Sequence, residues 1–408
     1  MVPDPSQRPV GGVERAKLYI AINDLLVYGS AITRPTGIQR VASGLAEELM
    51  LRYGGECVSV SVAGMKTVRL PAADGSSVAA RLAEPVLRAL SHFPRSIQER
   101  ARSVARAFLS LRAQRSHGTF TKPALESWIL VLGAPWIAPG MADAVCLLKE
   151  RDGVRIALLV HDLLPTTSQR WFADAQGQAA KRDVETLITA ADTIFTVSAE
   201  VAAELQTLYG KRGTLLTPAD PELSARAGIN AAVPADAERT VLSVGTFHPR
   251  KNLVALVNIW DTWENAPRLV LAGRRHPQDG EFFAALAAHP RAAERITLIH
   301  TADDAQLAEL YRSSRFLVMP SLAEGWGLPV REALLAGRPA ITTDAVPAAT
   351  NSPFARVVPA GDEAALSAVI HEWWNGNAPE RLSDEIQRTF VPRTWSDVAA
   401  ELAGRLTT

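Results

Sequence analysis

The tetrapeptide Phe316-Leu317-Val318-Met319 runs into Pro320, and the chain continues S-L-A-E-G-W-G-L-P-V-R-E-A-L-L-A-G to Gly337. An apolar run stopped by proline reads as a buried strand. Gly325 and Gly327 make a loop, Pro329 suits a first helical position, and Gly337 suits a helix end. Strand, glycine loop and helix form a unit of α/β sheets, so this stretch restricts what the rest of the chain can build. Such a loop can aim backbone N–H groups and a helix N-terminus at an anion, usually a phosphate. Two carboxylates bracket it, Glu324 before the glycines and Glu332 in the expected first turn of the helix, and both would repel a phosphate. An ionised carboxylate only accepts hydrogen bonds, which suits the vicinal hydroxyls of a sugar or a ribose. On two glutamates alone, a plain strand–turn–helix with surface acids is an equal alternative.

The flanking chain repeats the unit. Strands are expected at 17–26, 58–62, 127–133, 156–160 and 193–197, with helical patterns from Ile38 to Leu49, at 181–190 and at 199–209. A turn region is expected from Tyr28 to Gly37. Residues 221–239 are alanine-rich and lack a strong period, and the alternation restarts at Thr240. Strands then fall at 240–245, 268–273, 295–300, 316–320, 340–343 and 356–358, with helices at 252–263, 280–288, 303–313 and 363–374. Apolar strands alternating with helices indicate parallel sheets of Rossmann type. The division expected is 1–220 as a first α/β domain, beginning with a loose tail, 221–239 as linker, 240–392 as a second α/β domain, and 393–408 as an amphipathic final segment. In such sheets ligands bind beyond the carboxyl ends of the strands.

At 408 residues two domains are the natural expectation. Lys plus Arg equals Asp plus Glu at 43 each, so no global field favours nucleic acid. Cys57 and Cys146 supply neither a disulfide framework nor a metal spacing, which fits a reducing cytoplasm. No apolar run reaches the roughly 18 residues of a spanning helix. The polar, proline-rich start is unlike a signal peptide. No Asp-x-Asp loop or Cys/His cluster suggests a metal, and no nucleophile elbow or Walker A loop is present.

Other stretches carry possible chemistry. V-G-T-F-H-P-R-K-N follows the first strand of the second half, and Arg250 with Lys251 would there hold a diphosphate and neutralise charge as it leaves. A solvated basic pair is the alternative. His161-Asp162-Leu163-Leu164-Pro165 follows the strand ending at Val160. A histidine so placed is structural or faces the cleft, and Asp162 is a base or a cap. Gly37 in R-P-T-G-I-Q-R-V permits close backbone approach, and Arg40 follows on the first helical turn. Asp303-Asp304 reads as a helix cap. From Arg88 to Arg115 arginines dominate; apolar residues from Ile97 to Leu111 recur at helical spacing opposite Arg95, Arg102 and Arg106. That segment is either a helix packed on the sheet or, over 95–115, a peripheral contact with an anionic membrane.

E-G-W-G-L-P-V-R-E resembles the E-x7-E signature of retaining glycosyltransferases of family 4, which have the GT-B fold. V-G-T-F-H-P-R-K-N resembles that family's diphosphate loop and H-D-L-L-P its first-domain histidine motif. T-G-I-Q-R-V resembles a subset of bacterial polysaccharide and lipopolysaccharide mannosyltransferase-like members, without the Gly-Gly pair common in the family. The resemblance implies two Rossmann-like domains facing across a cleft, with R-T-W-S-D-V as the start of a helix returning to the first domain and Trp395 its anchor. It implies transfer of a hexose, mannose foremost, from a GDP- or UDP-linked sugar to a hydroxyl of a glycan or polyprenyl-diphosphate-linked acceptor. No metal and no cofactor beyond the nucleotide sugar are expected, and the location implied is the cytoplasm or the inner membrane face. The implied catalytic residues are His161, Glu324, Arg250 and Lys251. The implied donor site comprises Gly37, Gly245, Thr246, Arg250, Lys251, His300, Glu324, Gly325, Trp326, Gly327, Leu328 and Glu332, with Glu324 on the sugar and Glu332 on the ribose. Arg40 and Asp162 are assigned to the acceptor side. A phosphorylase on the same fold and a catalytically silent sugar-nucleotide scaffold are the alternatives.

Overall fold

A computed structural model describes residues 17–31, 36–68, 120–124, 126–220 and 240–406. The expected tail at 1–16, the linker at 221–239 and the basic segment at 95–115 lie outside the described residues.

The first sheet contains β1 (Leu18–Ala21), β2 (Glu56–Ser61), β3 (Gly64–Thr67), β4 (Phe120–Thr121), β5 (Trp128–Val131), β6 (Arg155–Val160), β7 (Thr193–Thr196) and β8 (Thr214–Leu215). Their spatial order is β4-β3-β2-β1-β5-β6-β7-β8. All six of β1, β2, β5, β6, β7 and β8 run parallel, but β3 returns antiparallel on β2 and β4 antiparallel on β3. The first sheet is thus parallel, as expected, with an antiparallel edge at β3 and β4. The short turn between Ser61 and Gly64 leaves no room for a crossover helix and permits only a hairpin.

The second sheet contains β9 (Thr240–Val244), β10 (Arg268–Ala272), β11 (Ile296–Ile299), β12 (Phe316–Met319), β13 (Ala340–Thr343) and β14 (Ala355–Val358). Its order, β11-β10-β9-β12-β13-β14, is that of a Rossmann sheet, and every pairing is parallel. Strand order reverses at two places, between β1 and β5 in the first sheet and between β9 and β12 in the second. Those switch points are where α/β sheets open a crevice for ligands.

A second correction concerns the first strand, which ends at Ala21 rather than at Leu26, and a helix, Asn23–Ala31, occupies part of the expected turn. The Asn23 side chain ends the strand by taking over ladder bonds to β2. Its Nδ2 donates to Val60 O at 2.7 Å, and its Oδ1 accepts from Val60 N at 2.8 Å. Helices at Met141–Asp152 and Ala378–Thr389 were not anticipated; the first is bounded by left-handed Gly140 and Gly153. Asp303 caps the helix Asp304–Arg312 in a reciprocal box with Gln306, as its position suggested.

The final helix, Trp395–Leu406, belongs to the first domain's core, where Val398, Ala399, Leu402, Ala403 and Leu406 are buried. Trp395 lies against Gly44 of the helix Gly37–Tyr53, where a Cβ would sit 2.4 Å from the indole. Trp128 Nε1 on β5 donates to Leu406 O at 3.1 Å. The chain crosses back to this helix beside Asp220, which accepts from Arg331 Nε and Nη2 at 2.5 and 2.8 Å and from Arg393 N at 2.8 Å. Asp220 N donates in turn to Arg393 O at 2.9 Å. One carboxylate thus ties both passages between the domains to the helix Leu328–Leu335.

Candidate functional site

The second sheet's switch point places two loops side by side. After β9, Gly245 turns with φ +156, and a Cβ there would lie 3.1 Å from Lys251 Cε and 3.4 Å from its Nζ. Glycine at this position leaves space for the lysine to fold back over the strand end. After β12, the chain reaches Glu324, whose Oε1 accepts from Lys251 Nζ at 2.5 Å and from Ser321 Oγ at 2.8 Å. Its Oε2 lies 2.6 Å from Arg250 Nη1, which also donates to Ala323 O at 2.9 Å. The carboxylate is 8% exposed and Lys251 10%. Burial alone would raise the Glu324 pKa, but the two cations hold it down to about 2. Burial lowers the Lys251 pKa, against the opposing pull of Glu324. Two fixed cations against one anion leave a formal surplus of one positive charge, which an incoming diphosphate would neutralise.

Arg250, Lys251 and Glu324, expected to share the donor site, form one buried cluster. Sequence spacing could not reveal this, because 73 residues separate the partners.

The first domain meets the cluster through the loop after β6. A Cβ on Gly325 would fall 1.9 Å from His161 O and 2.9 Å from Asp162 Cβ, so the absent side chain lets the two domains touch. Gly327 instead takes a left-handed backbone, φ +112, against Val346. Trp326 packs against cores of both domains, and Leu328 Cδ1 would lie 3.2 Å from a Cβ on Gly37. His161 Nε2 lies 2.8 Å from Leu132 O, and burial pushes its pKa down to about 4. A carbonyl only accepts, so the neutral ring carries its proton on Nε2 and offers Nδ1 as an acceptor. Asp162 Oδ1 accepts from Leu164 N at 3.2 Å, and burial raises its pKa.

Glu332 is bonded on both oxygens. Tyr311 Oη donates to Oε2 at 2.5 Å and Arg40 Nη1 to Oε1 at 2.5 Å, with the carboxylate 3% exposed. Arg40, assigned to the acceptor side, therefore stands beside Glu332, which the same reading assigned to the donor. Tyr311 was missed, since a lone tyrosine inside a helical pattern carries no signal of its own. His300 Nδ1 lies 3.0 Å from Gly273 O, and its ring meets Phe247 edge-on at 5.0 Å. Thr246 contributes its carbonyl, which accepts from His248 N at 2.7 Å. His248, lowered to about 3 by burial and then by Arg250, stacks on Phe172 at 5.6 Å and approaches His276 at 4.4 Å. That aromatic contact across the domains was also missed.

Among the described residues there is no group of three or more His, Cys, Asp or Glu placed to hold a metal, and no helix long and apolar enough to cross a membrane.

Two Rossmann-like domains with loops meeting across a cleft, and a last helix returning to the first, define the GT-B fold. Sucrose-phosphate synthase from Thermosynechococcus elongatus superposes with a TM-score of 0.62 at 20% identity, over 96% of this chain and 98% of that one. Anabaena Alr3699/HepE, solved with UDP and glucose, gives 0.60 at 12% identity, over 97% and 100%. Residues 238–375, almost all within the second domain, match the family model "Glycosyl transferases group 1". The serotype-specific mannosyltransferase WbdA of Escherichia coli is 26% identical over 260 residues, 58% of this chain. The match spans 30% of that relative's length.

Proposed function

We propose that the chain is a retaining glycosyltransferase moving a hexose from a nucleotide-diphosphate sugar to a hydroxyl of a glycan or lipid-linked acceptor. The observation that carries this reading is the Arg250–Lys251–Glu324 cluster at the β9/β12 switch point, facing the His161 loop of the other domain. Its surplus positive charge suits a diphosphate whose charge grows as the sugar leaves. Glu324, kept ionised, has one acceptor position left, on Oε2, for a hydroxyl, and Glu332 addresses the ribose. Neutral His161 accepts a sugar hydroxyl at Nδ1 and holds no proton there to give away. The bond from the anomeric carbon to the phosphate oxygen breaks while one forms to the acceptor oxygen on the same face. The acceptor's proton passes to the departing phosphate, so atoms and charge balance.

Mannose is the hexose favoured by the likeness to WbdA, and GDP or UDP the nucleotide carrier. The location favoured is the cytoplasm or the inner membrane face. Thermal-shift measurements against GDP-, UDP- and ADP-linked sugars test the donor, since a ligand bound by the folded state raises the melting temperature. Transfer to a hydroxyl acceptor with the donor so found is the expected result. No stabilisation by any of them, or phosphate-dependent sugar release without nucleotide, would overturn the reading.

A further inference from the structure

We propose that Arg40 is a donor-binding residue, contributed by the first domain to the nucleoside end of the donor site. This rests on the reading of Glu332 as the ribose contact. The helix Gly37–Tyr53 points its first turn at the second domain, with Gly37 against Leu328. From that turn Arg40 reaches Glu332 Oε1, while Tyr311, from the second domain itself, takes Oε2. Each carboxylate oxygen accepts two hydrogen bonds, so one bond on each leaves two positions. A ribose presents two vicinal hydroxyls, and the count matches.

Arg40 has the complementary surplus. A guanidinium carries five N–H donors in a rigid fork, and among the described residues it is hydrogen-bonded to Glu332 through Nη1. Further donors can turn to the hydroxyl oxygens that the diol, while donating to Glu332, leaves exposed. The side chain is 24% exposed, enough for contact with a ligand in the cleft, and its partner is almost fully buried. Burial works against the guanidinium charge, but Glu332 and the more distant Asp304 keep its pKa raised. The pair spans the two domains, so a nucleotide seated between them is gripped from both walls rather than by the second domain alone.

Calorimetric titration of wild type, Arg40→Ala and Arg40→Lys with the nucleoside diphosphate that binds, and with its 2′,3′-dideoxy analogue, tests the assignment. Arg40→Ala should weaken the ribonucleotide about tenfold to a hundredfold, the range for losing a charge-assisted hydrogen bond. The dideoxy analogue should bind wild type weakly and be nearly insensitive to the substitution. Arg40→Lys should restore part of the affinity, because a point charge replaces the fork. Arg40→Gln serves if the alanine variant fails to fold. Unchanged ribonucleotide affinity, or equal losses for both ligands, overturns the assignment while leaving the donor reading intact. Failure of wild type to bind GDP, UDP or ADP overturns the donor reading, and this inference with it.

Discussion

Replacing Asp24 by Asn isolates one electrostatic cost. Asp24 follows β1 at the first sheet's switch point and is fully buried. Its Oδ2 accepts from Ala134 N at 2.8 Å, while Oδ1 has no hydrogen-bond partner. Gly133 makes the space, since a Cβ there would stand 1.9 Å from Oδ2. Burial, only partly opposed by backbone N–H groups, raises the carboxyl pKa from 3.8 to about 6. At about 1.4 kcal/mol per pH unit, ionising it in the folded state costs about 3 kcal/mol once the pH is above both values. The folded state binds the proton more tightly than the unfolded chain does. Stability from this group is therefore highest in acid and is lost as pH rises from about 4 to about 6. Asparagine keeps an oxygen for Ala134 N and cannot ionise. Any penalty for its unpaired Nδ2 is independent of pH and cancels between conditions. Urea unfolding of the first domain at pH 4.5 and pH 8 should show the variant gaining about 2 kcal/mol relative to wild type between the two. A difference between variant and wild type that is the same at both pH values would refute the reasoning.

Lys251→Ala should lower turnover by about a hundredfold or more in a transfer assay, the scale of losing one preorganised charge at a leaving group, with near-normal activity counting against the diphosphate role. Gly325→Ala pushes a methyl into His161 O and should cost about 1–3 kcal/mol of contact between the domains, seen as a lower melting temperature together with lost transfer. Asp220→Ala leaves Arg331 without its bidentate partner and should destabilise by about 3–5 kcal/mol in chemical denaturation; an unchanged midpoint would show that the crossing is held by other contacts. Because the His161 pKa lies near 4, transfer should show no titration from this ring between pH 6 and 8, and a dependence there that vanishes in His161→Gln would contradict its neutral assignment.

Much of this was local enough to be read from the chain. The strand at Phe316–Met319 stops because proline follows it, and the helix beyond begins with Pro329 in its first turn. The second sheet's strands are apolar because both faces are covered, which is why their alternation with helices was legible without a partner in view. The β3–β4 edge and the helix at Asn23 were not. A hairpin edge depends on which strand accepts it, and Asn23 ends a strand only through Val60, 37 residues away.

Strand period, turn chemistry and helix starts act over a few residues, so the two α/β halves, the glycine-bracketed glutamates and the basic pair after β9 were legible in the chain. What those charges do to one another followed from the packing of distant segments. It joined Glu324 to Arg250 and Lys251, set Arg40 across the cleft on Glu332, and brought in Tyr311 and the His248–Phe172 contact. Burial turned these pairs from solvated surface charges into fixed partners, and burial is a property of the assembled domains, not of any stretch of chain.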